Sequence, residues 1–256
     1  MKKPFYPFLP MKPTSIVCGI RDRNQVLAET LPNWLSFSVS EIVIVDFRDS
    51  GCESAWDIVK DIQDSRIKVV QTDYEYRWSS SIAYNLGISV AQSPFILKLD
   101  VDYELRHDFF QLNVLKENEF IQKKTDHRSG LFYMEKRMWN SVNGFDEDMP
   151  FWGHEDIDFK NRLVMAGFEQ KDWAEDTFIH KPHPANMRIT QFGRTLQENI
   201  REVLLHSNEF NKFLASHSPW SPEARRIKWT VSKMEERRFL AVRDVQMAED
   251  RNLSKL

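Results

Sequence analysis

The stretch Phe95-Ile96-Leu97-Lys98-Leu99-Asp100-Val101-Asp102 decides how this chain is read. It has the pattern of a short buried strand that runs into two acids one residue apart. Phe95, Leu97 and Leu99 fall on one side of a two-residue period, and Ile96 and Lys98 on the other. If the extended backbone persists to the end, Asp100 and Asp102 point the same way. Neighbouring carboxylates repel and are stable together mainly with a cation between them. Oxygen ligands at a strand tip suit magnesium or manganese, with substrate phosphates completing the shell. Taken alone, a strand-ending turn with solvated acids is the plainer explanation of the same residues.

Before this stretch, apolar runs alternate with helical patterns. Residues 1–13 carry four prolines and read as an irregular arm. Ser15 to Ile20 reads as a strand, followed by Arg21-Asp22-Arg23-Asn24 and a helix with Val26, Leu27, Leu31, Trp34 and Leu35, interrupted by Pro32. Glu41 to Asp46 is a second strand, closed by the turn residues Arg48-Asp49-Ser50-Gly51. A helix from Ala55 to Ile62, a strand from Arg66 to Gln71 and a helix from Ser79 to Ala91 complete the half. Continuous apolar strands alternating with helices predict a mostly parallel central sheet flanked by helices. Ligands of such sheets bind beyond the C-terminal strand ends. That rule places Arg21, Arg23, Asp46, Arg48, Asp100 and Asp102 along one rim. Paired arginines suit a diphosphate or a base edge, and Asp46 suits a base amide or a ribose hydroxyl. For each arginine alone, a surface salt bridge is an equally good explanation.

The second half opens with a predicted helix near Arg106 to Glu119, with Phe109, Leu112 and Leu115 inward, and a strand over 130–134. A short helix then stops at Asn143-Gly144. The loop 148–154 carries Phe151-Trp152-Gly153-His154 and leads into a helix over 155–167. Acids fill the first turn of that helix and glycine follows its end. Phe159, Leu163 and Ala166 form its expected inner stripe, and Asp158 and Arg162 pair on its face. Glu155 and Asp156 are either acids complementing the helix dipole or a general base and its neighbour beside an aromatic pocket mouth. They point about 100° apart, so one can hold an acceptor hydroxyl while the other takes its proton. Trp152 suits stacking on a sugar ring, or a place in the core. His180 and His183, three apart between prolines, are either loop histidines or two ligands of one metal. Beyond 189 the pattern predicts helices, the last of them charged and running from about 223 to 248.

Composition limits the alternatives. With 256 residues, 41% of them hydrophobic, the chain can bury one sizeable core with an appendage. Lys and Arg number 35 against 38 Asp and Glu, which lacks the basic excess of a nucleic-acid binder. The cysteines, Cys18 and Cys52, are too few for a disulfide framework and suggest a reducing, cytoplasmic setting. No apolar run is long enough for a transmembrane helix.

Five motifs in order resemble the GT-A fold glycosyltransferases, most of all inverting family 2 enzymes and the beta-galactosyltransferase family. They are Ile20-Arg21-Asp22-Arg23, Val45-Asp46-Phe47-Arg48, Ala83-Tyr84-Asn85-Leu86-Gly87, Asp100-Val101-Asp102, and Asn143-Gly144-Phe145-Asp146-Glu147 followed by Trp152-Gly153-His154-Glu155-Asp156-Ile157-Asp158-Phe159. The resemblance covers roughly 14–185. It implies an α/β GT-A domain over 14–188; the residue pattern adds an arm (1–13) and a C-terminal helical extension (189–256), whose apolar stripe suits packing on the domain, oligomerisation or peripheral contact. The resemblance implies Asp156 as catalytic base, Glu155 as acceptor contact, and Asp102, Asp100, His180 and His183 as ligands of Mn2+ or Mg2+. Arg21, Arg23, Asp46, Arg48, Asn85 and Asp100 would meet a UDP-sugar donor, and Trp152 a sugar ring. In the galactosyltransferases a methionine stands where this chain has His180, and their glycine-rich run between Gly144 and Trp152 has no counterpart here. The implied reaction is transfer of the sugar, with inversion, to a hydroxyl. Retaining N-acetylgalactosaminyltransferases share much of the late signature, and a non-catalytic nucleotide-sugar-binding module is a further alternative.

Overall fold

The structure is a computed structural model that describes residues 12–47, 53–72, 78–123, 130–182, 200–217 and 229–243. Its frame is a nine-stranded sheet in the order β10-β11-β3-β2-β1-β4-β7-β6-β8. The parallel centre is β1 (Thr14–Ile20), β2 (Glu41–Asp46), β3 (Ile67–Thr72) and β4 (Phe95–Lys98). On one side lie β6 (Glu119–Ile121), β7 (Phe132–Glu135) and β8 (Glu169–Lys171), and on the other β10 (Trp229–Glu235) and β11 (Arg238–Arg243). A second, two-stranded sheet joins β5 (Tyr103–Leu105) to β9 (Phe178–His180).

The two-residue period of β1 feeds two cores. Ile16, Cys18 and Ile20 pack with α1 (Asn24–Leu35) and α2 (Ala55–Val59) on one face. Val17 packs with Val43, Val45 and α3 (Ser80–Val90) on the other. The remaining helices are α4 (Phe109–Leu112), α5 (Lys136–Ser141), α6 (Glu155–Met165) and α7 (Ile200–His217). Close approach of α3 to β1 explains two residues of its motif. A side chain on Gly87 would collide with Val17, and one on Gly19 would sit 2.8 Å from the Ala83 Cβ. Small residues at 83 and 87 therefore let the helix seat on the sheet.

Several expectations give way to tertiary context. β4 stops at Lys98, and a turn closed by Tyr103 N–H donating to the Asp100 carbonyl takes over. Asp100 and Asp102 consequently sit in different environments: the Asp100 side chain is 38% exposed and that of Asp102 8%. The helix predicted for 106–119 shrinks to α4. Asn113 ends it, donating to the Phe109 carbonyl and accepting from Ala174 N–H, and Leu112 faces outward while Phe109 and Leu115 are buried. In α6, Phe159 and Leu163 face the core but Ala166 is exposed.

The charged helix predicted over 223–248 is, within 229–243, the hairpin β10–β11. β11 pairs in parallel with β3, Arg238 opposite Val69 and Ala241 opposite Thr72. Pairing with an open sheet edge overrides the helix propensity of a Lys-, Glu- and Arg-rich run. Arg237 donates to the carbonyls of Ile62 and Asp64, and Arg238 to the Gln71 side chain, which anchors the hairpin. Of the expected C-terminal helices, α7 is the one present among the described residues. No helix among them is long and apolar enough to cross a membrane.

Candidate active site

β1 lies between β2 and β4, so the C-terminal ends of these strands meet. Arg21 and Arg23, just past β1, are buried, and an Arg23 guanidinium nitrogen stands 3.7 Å from Asp102 Oδ2. The β5–β9 pair puts Tyr103 opposite His180, and Lys181 N–H donates to the Asp102 carbonyl at 2.7 Å. As a result His180 Nε2 lies 3.4 Å from the same Asp102 oxygen. Residues nearly eighty positions apart in sequence are thus neighbours, as their spacing alone did not show. Arg48 and His183 lie outside the described residues.

Lys98 is the functional candidate that sequence reasoning passed over. It is 2% exposed, its ammonium donates to the Gly130 carbonyl, sits 3.7 Å from the Tyr84 ring centroid and lies 3.7 Å from Asp100 Oδ1. Tyr84 O–H donates to that same oxygen at 2.5 Å, and burial, then the charge of Asp100, pushes the phenol pKa well up. The signal was available: a lysine inside an apolar strand is rarely buried without partners. A side-chain carbon placed on Gly130 would lie 3.7 Å from Asp100 Oδ2, 3.7 Å from Lys98 Nζ and 3.9 Å from Asp156 Oδ2. The strand tip and the first turn of α6 therefore converge beside Gly130. One buried cation offsets the repulsion between the two carboxylates.

The approach to α6 is a contorted loop. Phe151, Gly153 and His154 all have positive φ, at 59°, 106° and 71°. The two non-glycine residues each cost about 1–2 kcal/mol, so the surroundings must enforce the shape. Trp152, at its tip, is 51% exposed, while Asp156 is half-buried. Glu155 is 5% exposed and accepts from Gly153 N–H at 2.6 Å. That geometry makes it a brace of the loop, with its carboxyl turned to Gly153 and out of open solvent. Burial, then the charge of Asp156, pushes its pKa up to about 7.

The raised pKa has a pH signature. Between an unfolded value near 4.5 and a folded value near 7, the folded state holds the proton that the unfolded state has lost. Stability therefore falls as pH rises through this window, by about 1–3 kcal/mol. Glu155→Gln, which mimics the protonated acid, is expected to match the wild type near pH 5 and exceed it near pH 8. Urea unfolding at both values measures the difference.

Two expected donor contacts have other partners. Asn85 is 1% exposed; its oxygen accepts from Trp139 Nε1–H and Phe145 N–H, and its amide donates to the Phe145 carbonyl and to Glu147 Oε1. All four of its hydrogen-bonding positions are used within the protein, so it braces the Gly144-Phe145-Asp146 segment and cannot hold a nucleotide. Asp46 is 1% exposed and accepts from Ser54 Oγ–H at 3.1 Å and Ala55 N–H at 2.9 Å, tying β2 to the start of α2.

Asp102 and His180 offer the hard oxygen and the imidazole that a manganese or magnesium ion accepts, leaving phosphate oxygens and water to complete an octahedral shell. No third carboxylate, imidazole or thiolate joins them in a metal-sized group among the described residues.

Residues 113–184 match the family model described as the N-terminal domain of galactosyltransferase. A probable N-acetylgalactosaminyltransferase 9 of Caenorhabditis elegans is 28% identical over 134 residues, which are 51% of this chain and 23% of that relative. The chain thus spans about a quarter of the length of this curated relative. Among solved structures, the catalytic domain of Drosophila beta1,4-galactosyltransferase 7 with xylobiose superposes with a TM-score of 0.55 at 14% identity, covering 90% of this chain and 92% of that one. A mutant of the same enzyme was solved with manganese, UDP-Gal and xylobiose. GalNAc-T7 with UDP, GalNAc and Mn2+ gives a TM-score of 0.58 at 13% identity over 67% of this chain and 43% of that one. The chain therefore has the fold of the GT-A glycosyltransferases, and its 113–184 segment is similar to the galactosyltransferase family.

Proposed function

We propose that this protein transfers a sugar from a UDP-sugar to a hydroxyl of a saccharide acceptor, with inversion, in polysaccharide or glycan synthesis. The carrying observation is that Asp100, Lys98 and Asp156 all come within 4 Å of one point beside Gly130, with Lys98 3.7 Å from Asp100. Donor-side and acceptor-side groups of the expected mechanism thereby share one small volume. Arg21 and Arg23 serve the diphosphate or the base, with Asp46 shaping that end of the sheet through α2. Asp102 and His180, with His183 from outside the described residues, would hold Mn2+ or Mg2+; such an ion would neutralise charge growing on the leaving diphosphate. Asp156 removes the acceptor proton as the hydroxyl attacks the anomeric carbon from the opposite side. Trp152 presents a flat apolar face to an acceptor sugar ring.

In this reading the transferase unit is 14–188 and 189–256 is an extension, of which the described parts are α7 and the β10–β11 hairpin paired with β3. Cytoplasmic residence belongs to the same proposal and rests on the sparse cysteines, Cys18 being a buried free thiol.

UDP release from UDP-galactose and UDP-N-acetylgalactosamine, with manganese or magnesium and with or without xylobiose, tests the reaction. Acceptor-stimulated release is expected. Metal-dependent UDP binding without release across a broad acceptor screen would make the chain a binding module. The likeness to N-acetylgalactosaminyltransferases keeps retention as a second reading, and proton NMR of the product anomer separates the two. Asp102→Ala is expected to weaken UDP binding at least about tenfold when manganese is present and little in EDTA, as calorimetry would show. Equal weakening in both conditions would remove Asp102 from the metal.

A further inference from the structure

Four successive carbonyls of the loop before α6 each accept a hydrogen bond from elsewhere in the chain. Asn211 Nδ2 donates to the Pro150 carbonyl at 3.2 Å and to the Gly153 carbonyl at 2.7 Å. Ser80 N–H donates to Phe151 at 3.0 Å, and Ser207 Oγ–H to Trp152 at 3.2 Å. Three of these bonds come from α7. The helix also lies so close that a side chain on Gly153 would sit 2.9 Å from Asn208 Oδ1, where φ is +106°. Asn211 is fully buried, and its one amide closes the loop across its span.

We infer that α7 is a clamp that pre-forms the acceptor platform, with Asn211 as its central positioning residue. The reasoning begins with Trp152. A large apolar ring left half in solvent on a free loop would fold down onto the surface. Here its backbone is fixed on both sides, so the ring stays presented on the loop that leads into α6 and Asp156. Ordering of the loop is completed at folding and is not repeated when an acceptor arrives, which raises acceptor affinity without adding a contact. The occupant this shape suits is a saccharide ring whose apolar face stacks on the indole while a hydroxyl reaches Asp156. The identity of that occupant rests on the proposed transfer reaction; the clamp itself does not.

The test uses the full chain with Asn211→Ala and, separately, Ser207→Ala. Hydrogen exchange of the 151–156 amides is expected to quicken by about tenfold in Asn211→Ala and less in Ser207→Ala, with exchange in β1 and β2 unchanged. In UDP-release assays the KM for xylobiose is expected to rise by roughly fivefold or more, while the KM for UDP-galactose and its acceptor-free hydrolysis stay at wild-type values. Unchanged exchange at 151–156 in both variants would overturn the clamp, as would equal rises in donor and acceptor KM. Should Asn211→Ala fail to fold, Ser207→Ala decides on the same readouts. A wild type that releases no UDP under any condition would defeat the transfer reading, and the exchange result would still judge the clamp.

Discussion

Asp156→Asn is expected to lose about 10²- to 10⁴-fold in transfer rate, the usual contribution of a positioned general base, while UDP binds within about twofold of wild type. The substitution is nearly isosteric, and the structure shows why the shape survives. Asp156 Oδ1 accepts from Ile157 N–H at 2.9 Å, and an asparagine oxygen can accept the same bond. The other carboxylate oxygen is the one that faces Gly130 and the Asp100 side. In asparagine that position becomes an NH2 group, which donates and cannot take a proton. The loss should therefore fall on kcat, with donor KM little changed. Removing the negative charge at 156 also removes the repulsion that helps hold the Glu155 proton. The pH-dependent loss of stability between about 4.5 and 7 should shrink in this variant. Near-normal turnover by Asp156→Asn would place the base elsewhere and leave α6 a structural role.

The elements that were legible in the sequence are those whose signal is local. β2 begins at Glu41 and ends at Asp46 as its apolar run does, and α3 follows its four-residue spacing to within a residue. Where the sequence misled, a distant partner sets the local structure. The turn after Lys98 is shaped by Tyr84, Gly130 and Lys181, none of which is near in sequence. The late hairpin exists because β3 offers an open edge. Asn85 reads as a ligand-binding amide until Trp139, Phe145 and Glu147 are seen to use it up. At the site, the rim rule for parallel sheets correctly brought Arg23 to Asp102. It had no means of adding Lys98, whose role depends on what a buried charge meets in three dimensions. Similarly, the Asp158–Arg162 spacing reads as a surface pair, and only packing shows that it is buried.

That buried pair is where the largest loss of stability is expected. Arg162 Nε donates to Asp158 Oδ2 at 2.8 Å with side-chain exposures of 9% and 8%, and one terminal nitrogen donates to the carbonyls of Val142 and Gly144 at 2.8 and 2.7 Å. One guanidinium thus neutralises an acid on α6 and fastens the Asn143-Gly144 turn, whose φ values are 54° and 76°. Arg162→Ala leaves a buried carboxylate without its cation and two carbonyls without donors, at a cost of about 3–5 kcal/mol. For a protein with a total stability of about 5–15 kcal/mol, that is a large share. Lysine should recover less than half of the loss, since a single ammonium cannot reproduce the planar fork. In a double-mutant cycle, Asp158→Asn with Arg162→Ala should cost less than the two single changes together, because the stranded charge is gone. Urea unfolding of the four proteins measures this, and a cost below about 1 kcal/mol for Arg162→Ala would mean the pair is effectively solvated. The consequence reaches the chemistry. Phe145 stacks on Phe159 at 4.1 Å and bonds Asn85 of α3, so the Arg162-held turn joins α3 to α6, the helix that carries Asp156. Loosening it should lower transfer by displacing Asp156 from Asp100, even at temperatures where the protein remains folded.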